Sequence, residues 1–318
     1  MKAFISGVAG FIGSNLADRL LEMGYYVRGY DNFATGQKKF ISRALSNPKF
    51  DFIEADMLDK QKLSDSLSEI DIVFHLAANA DIKDGLNNPV RDLEQNTIAT
   101  SNILEAMRIN NVKKILFSST VSVYGEACVI PTPENAPFPI QTSLYASSKL
   151  ACEALIQAYC EGYGFKSWIF RFVSVLGERY SHGHVFDFYK KLLDDPNNLL
   201  VLGDGNQKKS YLYVQDCIDA MLFSLENSKE KINIFNLGTN EYCQVKDSIK
   251  WIVRNLEINP KLNFTGGKRG WVGDNPFIFL DTSKINNLGW KPKLSINDGV
   301  IKTLEYLKSN KWLIKERE

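Results

Sequence analysis

The chain has 318 residues, of which 38 are basic and 37 acidic, so its formal net charge at pH 7 is +1. This length allows one large or two closely associated domains, and the scattered, balanced charges exclude the electrostatic footprint of a protein that binds nucleic acid or an anionic membrane. Five cysteines without a CxxC pair argue against a disulfide framework or a zinc site, and with only three histidines we expect no metal.

The N-terminal segment MKAFISG leads directly into a glycine turn, without the basic and apolar regions of a signal peptide. No run of about twenty apolar residues follows that would span a bilayer. We therefore expect the segment to be a strand, and the protein to be soluble and cytoplasmic.

Short apolar runs alternate with longer amphipathic runs over the first half of the chain. Apolar runs without polar alternation are typical of strands covered on both faces, so the alternation predicts an α/β fold with a doubly wound parallel sheet and right-handed crossovers. The predicted strands are KAFISG, YYVRGYD, a third strand before Asp56, IDIVFHLAA, KKILFSST and KSWIFRFVSVLG; the predicted helices are SNLADRLLEMG, DKQKLSDSL, TIATSNILEAMRIN and one around Tyr145 that continues to about Tyr163, with Gly162 and Gly164 as stop signals.

The pattern becomes less regular beyond about residue 175. The change predicts a first domain over residues 1–175, to which a segment near 210–240 returns, and a smaller C-terminal substrate lobe over residues 176–318. The predicted elements here are the helix VFDFYKKLLDD, broken by Pro196, the strands LLVLG, SYLYV and NIFNLG, and the helices QDCIDAMLFSLEN, VKDSIKWIVRNL and SINDGVIKTLEYLKS.

Gly7, Gly10 and Gly13 lie in GVAGFIG, between the first predicted strand and the first predicted helix. A dinucleotide fold needs glycines here for a tight turn, for a bare backbone close to a pyrophosphate and for close helix-to-strand packing. The alternative is three turn glycines without a ligand. Asp31 ends the second predicted strand, where an acid meets the adenosine ribose and would repel a 2′-phosphate. The pattern favours NAD over NADP.

Asp56 follows the third predicted strand, in FIEADMLD. Its carboxylate either accepts from the adenine amino group or caps the helix DKQKLSDSL, since aspartate is a preferred N-cap residue. The residues alone leave both interpretations open.

Tyr145 and Lys149 stand four residues apart in SLYASSKLACEALI, so on a helix both side chains leave the same face. An ammonium a few ångströms from a phenol favours the phenolate and can bring its pKa from about 10 toward neutrality. Taken alone, however, this spacing occurs by chance in many amphipathic helices.

These motifs occur together with HLAANA, SSTVSVYG and LVLGDGNQKKSYLYVQD, and the chain closes with LGWKPKLSINDGV. In this order they resemble the NAD-dependent epimerase/dehydratase family of extended short-chain dehydrogenases, especially the UDP-glucose (UDP-galactose) 4-epimerases, over nearly the whole chain. The resemblance implies that NAD is the cofactor and that it is bound by Gly7, Gly10, Phe11, Ile12, Gly13, Asp31, Asn32, Asp56, Met57, Leu76, Ala77, Ala78, Asn96, Ser118, Tyr145 and Lys149.

The resemblance also implies a catalytic set of Thr120, Tyr145 and Lys149. Tyr145 would take a proton from a sugar hydroxyl, Lys149 would hold the nicotinamide ribose and lower the phenol pKa, and Thr120 would bond the same sugar oxygen. Thr120 and Ser119 could instead merely cap a turn. The implied substrate is a nucleotide-diphosphate sugar, with a UDP-hexose favoured, and the implied substrate contacts are Asn79, Ser119, Thr120, Ser122, Ser174, Val185, Leu202, Lys209 and Arg269.

The residues after Thr120 distinguish members of this family by reaction. Related 4,6-dehydratases carry Asp-Glu there and decarboxylases Ser-Glu, whereas this chain has Val121 and Ser122. We therefore expect a 4-epimerase that oxidises C4 and reduces it again on the opposite face. The alternatives are a dehydratase with an acid from Asp81 or Glu126, a 4-reductase or oxidase, and a non-catalytic NAD sensor.

The segments TIATSNILEAMRIN and SSKLACEALIQAYC correspond to the helices that pair across a two-fold axis in dimers of the family. The resemblance therefore implies a homodimer held by a four-helix bundle. Their apolar residues could also be packed wholly within one chain.

Overall fold

The computed structural model describes residues 1–80, 85, 87–270, 275 and 277–316. The chain forms two compact units. The first comprises Met1–Ala127, Ala136–Arg171 and Met221–Phe235, and the second comprises Cys128–Asn135, Phe172–Ala220 and Asn236–Glu318. The predicted division of labour, with NAD bound by residues 1–175 and the sugar nucleotide mainly by residues 176–318, stays a prediction.

The strands of the described residues include the predicted apolar runs and several short additions. In chain order they are β1 (Lys2–Ser6), β2 (Tyr26–Asp31), β3 (Phe50–Glu54), β4 (Ile72–His75), β5 (Lys114–Thr120), β6 (Lys166–Phe172), β7 (Ser174–Leu176), β8 (Asn198–Val201), β9 (Lys208–Lys209), β10 (Tyr211–Tyr213), β11 (Ile232–Leu237), β12 (Cys243–Gln244) and β13 (Lys261–Phe264).

The helices of the described residues follow the predicted amphipathic runs, with short additions between them. In chain order they are α1 (Phe11–Glu22), α2 (Ser42–Leu45), α3 (Lys60–Asp65), α4 (Pro89–Asp92), α5 (Ala99–Ile109), α6 (Leu144–Tyr163), α7 (His184–Asp194), α8 (Val214–Asn227), α9 (Val245–Asn255), α10 (Ser283–Leu288), α11 (Ile296–Ser309) and α12 (Trp312–Lys315).

Seven strands of the described chain form the main sheet, in the order β11-β6-β5-β4-β1-β2-β3. The pairs β1–β2, β1–β4, β2–β3 and β4–β5 are all parallel. Every position of β4 is buried, as is every position of β5 after the first. The predicted doubly wound α/β fold is therefore confirmed, and its strands are apolar because both sheet faces are covered.

Large apolar side chains from both strands and helices fill the core of the first unit. Phe4 and Phe117 come from the sheet, and Ile103 of α5 and Ile156 of α6 belong to the same fully buried cluster. Each side chain of this size contributes about 1.5–3 kcal/mol when removed from water. This core fixes α6 against the sheet, and α6 carries the predicted Tyr145–Lys149 pair.

Two details of the predicted elements were wrong. KSWIFRFVSVLG forms two strands, because β7 leaves the main sheet and pairs in parallel with β10. The predicted end of α6 at about Tyr163 is confirmed, but Gly162 lies inside the helix and only Gly164 stops it, as a C-cap with a left-handed φ of +67°. Glycine reaches that conformation without the steric cost that other residues incur.

The second unit contains small strand pairs and helices. β7 pairs with β10 and β8 with β13, both in parallel, whereas β12 pairs with β9 in antiparallel fashion. α11 packs against α7, α9 and β10. Its buried face carries Val300, Leu304 and Leu307, at the spacing expected of an amphipathic helix.

Candidate functional site

The glycine loop between β1 and α1 is tightly packed. A Cβ on Gly7, whose φ is +72°, would lie 2.7 Å from the backbone nitrogen of Ala77, and a Cβ on Gly13 would lie 2.1 Å from the carbonyl oxygen of Gly7. Gly10 caps α1 without a side-chain hydrogen bond, and the first turn carries no acidic residue. The amides of residues 11–13 and the helix dipole are thus left to stabilise an anion, which fits a pyrophosphate.

Gly13→Ala is expected to destabilise the protein by about 3 kcal/mol, because the added methyl group overlaps the Gly7 carbonyl and forces α1 away from the loop. Urea unfolding measures the loss, and NAD titration should show weaker binding. Gly162→Ala is the matched control, because a Cβ there meets nothing within 4 Å. It should stabilise α6 by about 0.5–1 kcal/mol. Equal stability of the two variants would contradict the packing argument.

Asp31 ends β2 with a carboxylate that is 9% exposed. Its Oδ2 accepts from the backbone N–H of Ala9 at 2.9 Å, and its Oδ1 accepts from that of Phe33 at 2.8 Å. Burial raises the pKa of Asp31, and these backbone hydrogen bonds oppose the shift. The acid therefore ties the glycine loop to the end of β2, and its predicted contact with the adenosine ribose stays a prediction.

Asp56 does not cap the following helix. Its Oδ2 accepts from Asn32 Nδ2 at 2.7 Å and its Oδ1 from the backbone N–H of Leu58 at 2.8 Å. The N-cap of α3 is Asp59, which accepts from the backbone N–H of Lys62 at 3.1 Å. The capping alternative for Asp56 was therefore wrong, because a second aspartate three residues later takes that position.

The residue after Asp56 is also held by a helix. Met57 is buried, and its carbonyl oxygen accepts from Asn102 Nδ2 of α5 at 3.1 Å. The segment that follows β3 is therefore fixed at the carboxyl ends of the strands, where nucleotides bind in folds of this type.

Tyr145 and Lys149 lie in the first two turns of α6. Ser143 is the N-cap of this helix, and its hydroxyl accepts from the backbone N–H of Ala146 at 3.1 Å. Lys149 is 2% exposed. Its Nζ donates to the carbonyl oxygen of Ser118 at 2.8 Å. Burial lowers the pKa of Lys149 to about 8, while Cys152 and Glu153 on the same helix oppose the shift.

Thr120 ends β5 and meets the hydroxyl of Tyr145. A hydrogen bond with Thr120 lowers the pKa of Tyr145, but burial outweighs it and raises the pKa to about 12. In the chain itself the Lys149 ammonium donates to Ser118 and the phenol pKa is not lowered toward neutrality, and the predicted role of Lys149 beside a bound cofactor stays a prediction. Thr120 also caps a turn, because its Oγ1 accepts from the backbone N–H of Ser122 at 3.1 Å and donates to Ser122 Oγ at 3.2 Å.

Asn79 and Asn96 form one buried network. Asn96 Oδ1 accepts from the backbone N–H of Asn79 at 2.8 Å, and Asn96 Nδ2 donates to Ser148 Oγ at 2.9 Å. Asn79 Nδ2 donates to Asp92 Oδ1 at 2.9 Å. Asn96 lies on a π-helical turn, Leu93–Ile98, of the kind often found at functional sites. Both asparagines fix the segment after β4, and their predicted ligand contacts stay predictions.

The start of that segment is anchored by two residues that the sequence did not single out for the site. Ser6 Oγ accepts from the backbone N–H groups of Leu76 and Ala77, each at 3.2 Å, and lies 2.7 Å from His75 Nδ1. Burial lowers the pKa of His75 to about 3, so this imidazole is neutral at physiological pH. Ala78 follows directly, so the predicted cofactor path from Leu76 to Ala78 starts on backbone that Ser6 holds, and the buried His75 in turn bonds Ser6.

Ser119 contacts a buried carboxylate, and its predicted substrate contact stays a prediction. Its hydroxyl donates to the carboxylate of Glu153, which is itself paired with Arg171 at 2.7 Å. Sequence reasoning missed both charged residues. The signal was present, because Glu153 continues the four-residue spacing of Tyr145 and Lys149 on α6.

The remaining predicted substrate residues belong to the second unit. Ser174 is exposed and pairs with Tyr211 at the start of β7. Val185 is fully buried in α7, and Leu202, which follows β8, is 40% exposed. Lys209 Nζ donates to the carbonyl oxygen of Asn275. Arg269 follows β13 and is exposed, and its predicted contact with a diphosphate stays a prediction.

Neither membrane-spanning nor metal-binding features occur in the part of the chain that the structure describes. None of its helices is long and apolar enough to cross a bilayer. Its His, Cys, Asp and Glu side chains form no group of three or more that could hold a metal ion.

The model of the NAD-dependent epimerase/dehydratase family matches residues 3–238. The chain belongs to this family. NAD is therefore its cofactor, in agreement with the glycine loop and Asp31. The predicted family and cofactor are thus confirmed.

Relatives of the chain include epimerases as well as other enzymes of the family. A putative UDP-glucose 4-epimerase of Methanocaldococcus jannaschii is 34% identical over 96% of this chain and 98% of its own length. The crystal structure of a UDP-galactose 4-epimerase is 33% identical, with a TM-score of 0.87 over 98% of this chain and 100% of that one. A UDP-glucuronic acid 4-epimerase from Bacillus cereus, solved with UDP-glucuronic acid and NAD, is 30% identical, with a TM-score of 0.89 over 97% and 99%. Decarboxylases and a dehydratase also match.

Proposed function

We propose that the protein is an NAD-dependent 4-epimerase of nucleotide sugars, with a UDP-hexose as substrate. The observation that carries the proposal is the meeting of Tyr145 with Thr120 at the end of β5, where Val121 and Ser122 follow instead of carboxylates. The epimerases among the relatives support the same reaction.

NAD, held by the glycine loop and the end of β2, supplies an acceptor and donor of hydride at its nicotinamide. The positive charge of bound NAD would favour the ionised form of the phenol, and in that form Tyr145 takes the proton of the sugar 4-hydroxyl during oxidation and returns it during reduction. Thr120 hydrogen-bonds the same sugar oxygen and keeps the phenol oriented. Lys149, whose Nζ donates to the carbonyl oxygen of Ser118, adds a positive charge to the site. Because each cycle ends with the cofactor oxidised again, the reaction needs no external reductant.

Dehydration would need an additional acid and base near the sugar. Of the alternative acids considered, Glu126 is an exposed residue two positions after Tyr124, and Asp81 lies outside the described residues. The polar residues that follow Thr120 are hydroxyls rather than carboxylates, which favours epimerisation over loss of water.

A neutral hexose fits the second unit better than a uronate. Ser181 is 5% exposed and lies 3.4 Å from His182 Nδ1, at the positions after the RFVSVLGERY motif where uronate epimerases offer an arginine. We assign Lys209 and Arg269 to the diphosphate and Ser174 to the sugar. Lys209 neutralises phosphate as a point charge, without the bidentate geometry of arginine.

The test is a panel of nucleotide sugars, UDP-glucose, UDP-galactose, their N-acetyl forms and UDP-glucuronic acid, incubated with the purified protein without added NADH. Proton NMR of the products should show each neutral sugar converted to its 4-epimer. A 4-keto-6-deoxy product, or a strict requirement for NADH, would overturn the epimerase proposal in favour of a dehydratase or a reductase.

We also propose a homodimer that forms through α5 and α6. The outer face of α6 carries a stripe of small residues, Ser147, Ala151, Ala154 and Ala158, and the neighbouring π-helical turn ends in Ile98, which is 38% exposed. Small side chains allow a second pair of helices to approach closely.

Ala154→Arg is expected to convert the dimer to a monomer, because the long charged side chain cannot be accommodated between closely packed helices. Light scattering after size-exclusion chromatography measures the mass. Ala154→Ser is the matched control, since it keeps a small side chain at the same position and should leave the dimer intact. A dimer that tolerates arginine here would place the interface elsewhere.

A further inference from the structure

A buried ion pair lies one helical turn beyond Lys149. Glu153 of α6 and Arg171 of β6 are 1% and 2% exposed. Arg171 Nη2 donates to Glu153 Oε2 at 2.7 Å, and Arg171 Nε donates to Oε1 at 3.0 Å. This bidentate geometry fixes both side chains. Burying two charges is costly, and a well-packed apolar pair is often equally stable, so stability alone does not account for the pair.

Two aromatic residues, Tyr124 and Phe138, also contact the guanidinium of Arg171. Its Nη1 donates to the hydroxyl of Tyr124 at 2.7 Å. Its central carbon lies 4.9 Å from the ring centroid of Tyr124 and 5.0 Å from that of Phe138. Tyr124 lies four residues after Thr120. The ion pair therefore also contacts the chain on the C-terminal side of the catalytic threonine, through Arg171.

Glu153 directs its carboxylate at the end of β5, where the hydroxyl of Ser119 donates to it. Ser118, the preceding residue, accepts from Lys149 through its carbonyl oxygen. Two side chains one turn apart on α6 therefore hold two consecutive residues of β5.

The third contact of the series is the catalytic one. Tyr145, one turn before Lys149, meets Thr120, which is the next residue of β5 after Ser119. Residues 145, 149 and 153 thus face residues 120, 118 and 119. The Lys149–Ser118 and Glu153–Ser119 contacts determine where the threonine hydroxyl lies relative to the phenol, because β5 cannot slide along α6 while both are made.

We propose that Glu153, oriented by Arg171, is a positioning residue that acts through Ser119 to hold Thr120 at the hydroxyl of Tyr145. The inference rests on the proposed function for its effect on turnover, whereas the contact itself does not. It reassigns Ser119 from a substrate contact to a link between the buried ion pair and the catalytic threonine.

Ser119→Ala is expected to lower kcat by about tenfold to a hundredfold with KM changed less than about twofold, because a small displacement of a reacting group is costly in rate while binding is retained. The pH at which kcat is half-maximal should move upward, since the phenol loses part of the hydrogen bond that favours its ionised form. Ser224→Ala is the matched control, because it removes a buried hydroxyl of the same unit that donates to the backbone of its own helix. An unchanged kcat and pH profile for Ser119→Ala would overturn the inference.

The decisive measurement repeats Ser119→Ala in a background in which Glu153→Leu and Arg171→Met remove both charges together, so that neither is left buried alone. If Ser119 acts through Glu153, its replacement has almost no further effect on kcat in this background. If Ser119 contacts the substrate instead, its replacement raises KM by the same factor in both backgrounds, and the inference is wrong.

Thermal unfolding tests the contact independently of turnover. Ser119→Ala should lower Tm in the wild-type background and leave it unchanged in the charge-free background, and equal shifts in both would overturn the inference. This measurement remains valid if the nucleotide-sugar panel shows no turnover, a result that would contradict the proposed function alone. Should the charge-free background fail to fold, the kcat and pH profile of Ser119→Ala decide.

Discussion

Tyr145→Phe is expected to lower kcat for epimerisation by about a thousandfold while NAD stays bound. The change removes the hydroxyl that meets Thr120 and keeps the ring. Because the ring still occupies its place on α6, the Lys149 contact with Ser118 should be retained. The loss therefore reports proton transfer rather than folding or cofactor affinity.

Stopped-flow or NMR turnover of UDP-galactose measures the rate, and the absorbance of NAD released from denatured protein measures its content. Tyr163→Phe is the matched control, since it removes a hydroxyl from the last residue of the same helix, where the side chain is 49% exposed. It should leave kcat within about twofold. A Tyr145→Phe variant that retains a tenth or more of the activity would assign the proton to another group.

The sequence was sufficient to predict the local geometry that places several of the candidate site residues. Gly7 and Gly13 occupy positions where a side chain would overlap the backbone, so the turn itself requires glycine there. Asp31 follows from the end of β2, and the Tyr145–Lys149 pair follows from helical spacing. Each of these needs only a few neighbouring residues to be recognised.

The interactions that the sequence did not reveal are long-range or compete with a neighbour. Asp56 and Asp59 are equally good caps by residue type, and only the bounds of α3 show which one is used. Arg171 reaches Glu153 from a different strand, and nothing in its local sequence indicates a buried charge. The pKa of Lys149 depends on how completely the packed core surrounds it, which residue spacing does not report.

Lys149 places a positive charge in the core, at a cost in the free energy of unfolding. The lysine is 2% exposed, and its Nζ lies 4.6 Å from the ring centroid of Phe117. Burial lowers its pKa from 10.5 to about 8. At about 1.36 kcal/mol for each pH unit, the difference corresponds to about 3 kcal/mol of instability at neutral pH.

Lys149→Met is expected to stabilise the cofactor-free protein by about 2 kcal/mol at pH 7, although it abolishes turnover. Methionine fills a similar volume without a charge, and the lost hydrogen bond to Ser118 offsets about 1 kcal/mol of the gain. Urea unfolding measures the difference. Lys250→Met, at a lysine whose side chain is 70% exposed on α9, is the matched control and should change stability by less than about 0.5 kcal/mol.

The pH dependence of the stability gain distinguishes removal of the buried Lys149 charge from a general gain in packing. The folded-state pKa of Lys149 lies below its ordinary value, so the unfolded chain binds the proton more tightly. The penalty in the wild type is therefore complete below about pH 8 and disappears as the pH rises to 10.5, where the lysine is neutral in both states. The gain in unfolding free energy from Lys149→Met should shrink over that interval. Above it the variant should be less stable than the wild type, because it lacks the hydrogen bond to Ser118. An advantage independent of pH would mean that the ammonium is better solvated than its burial indicates, and that the chain tolerates this lysine beside Tyr145 without a cost in stability.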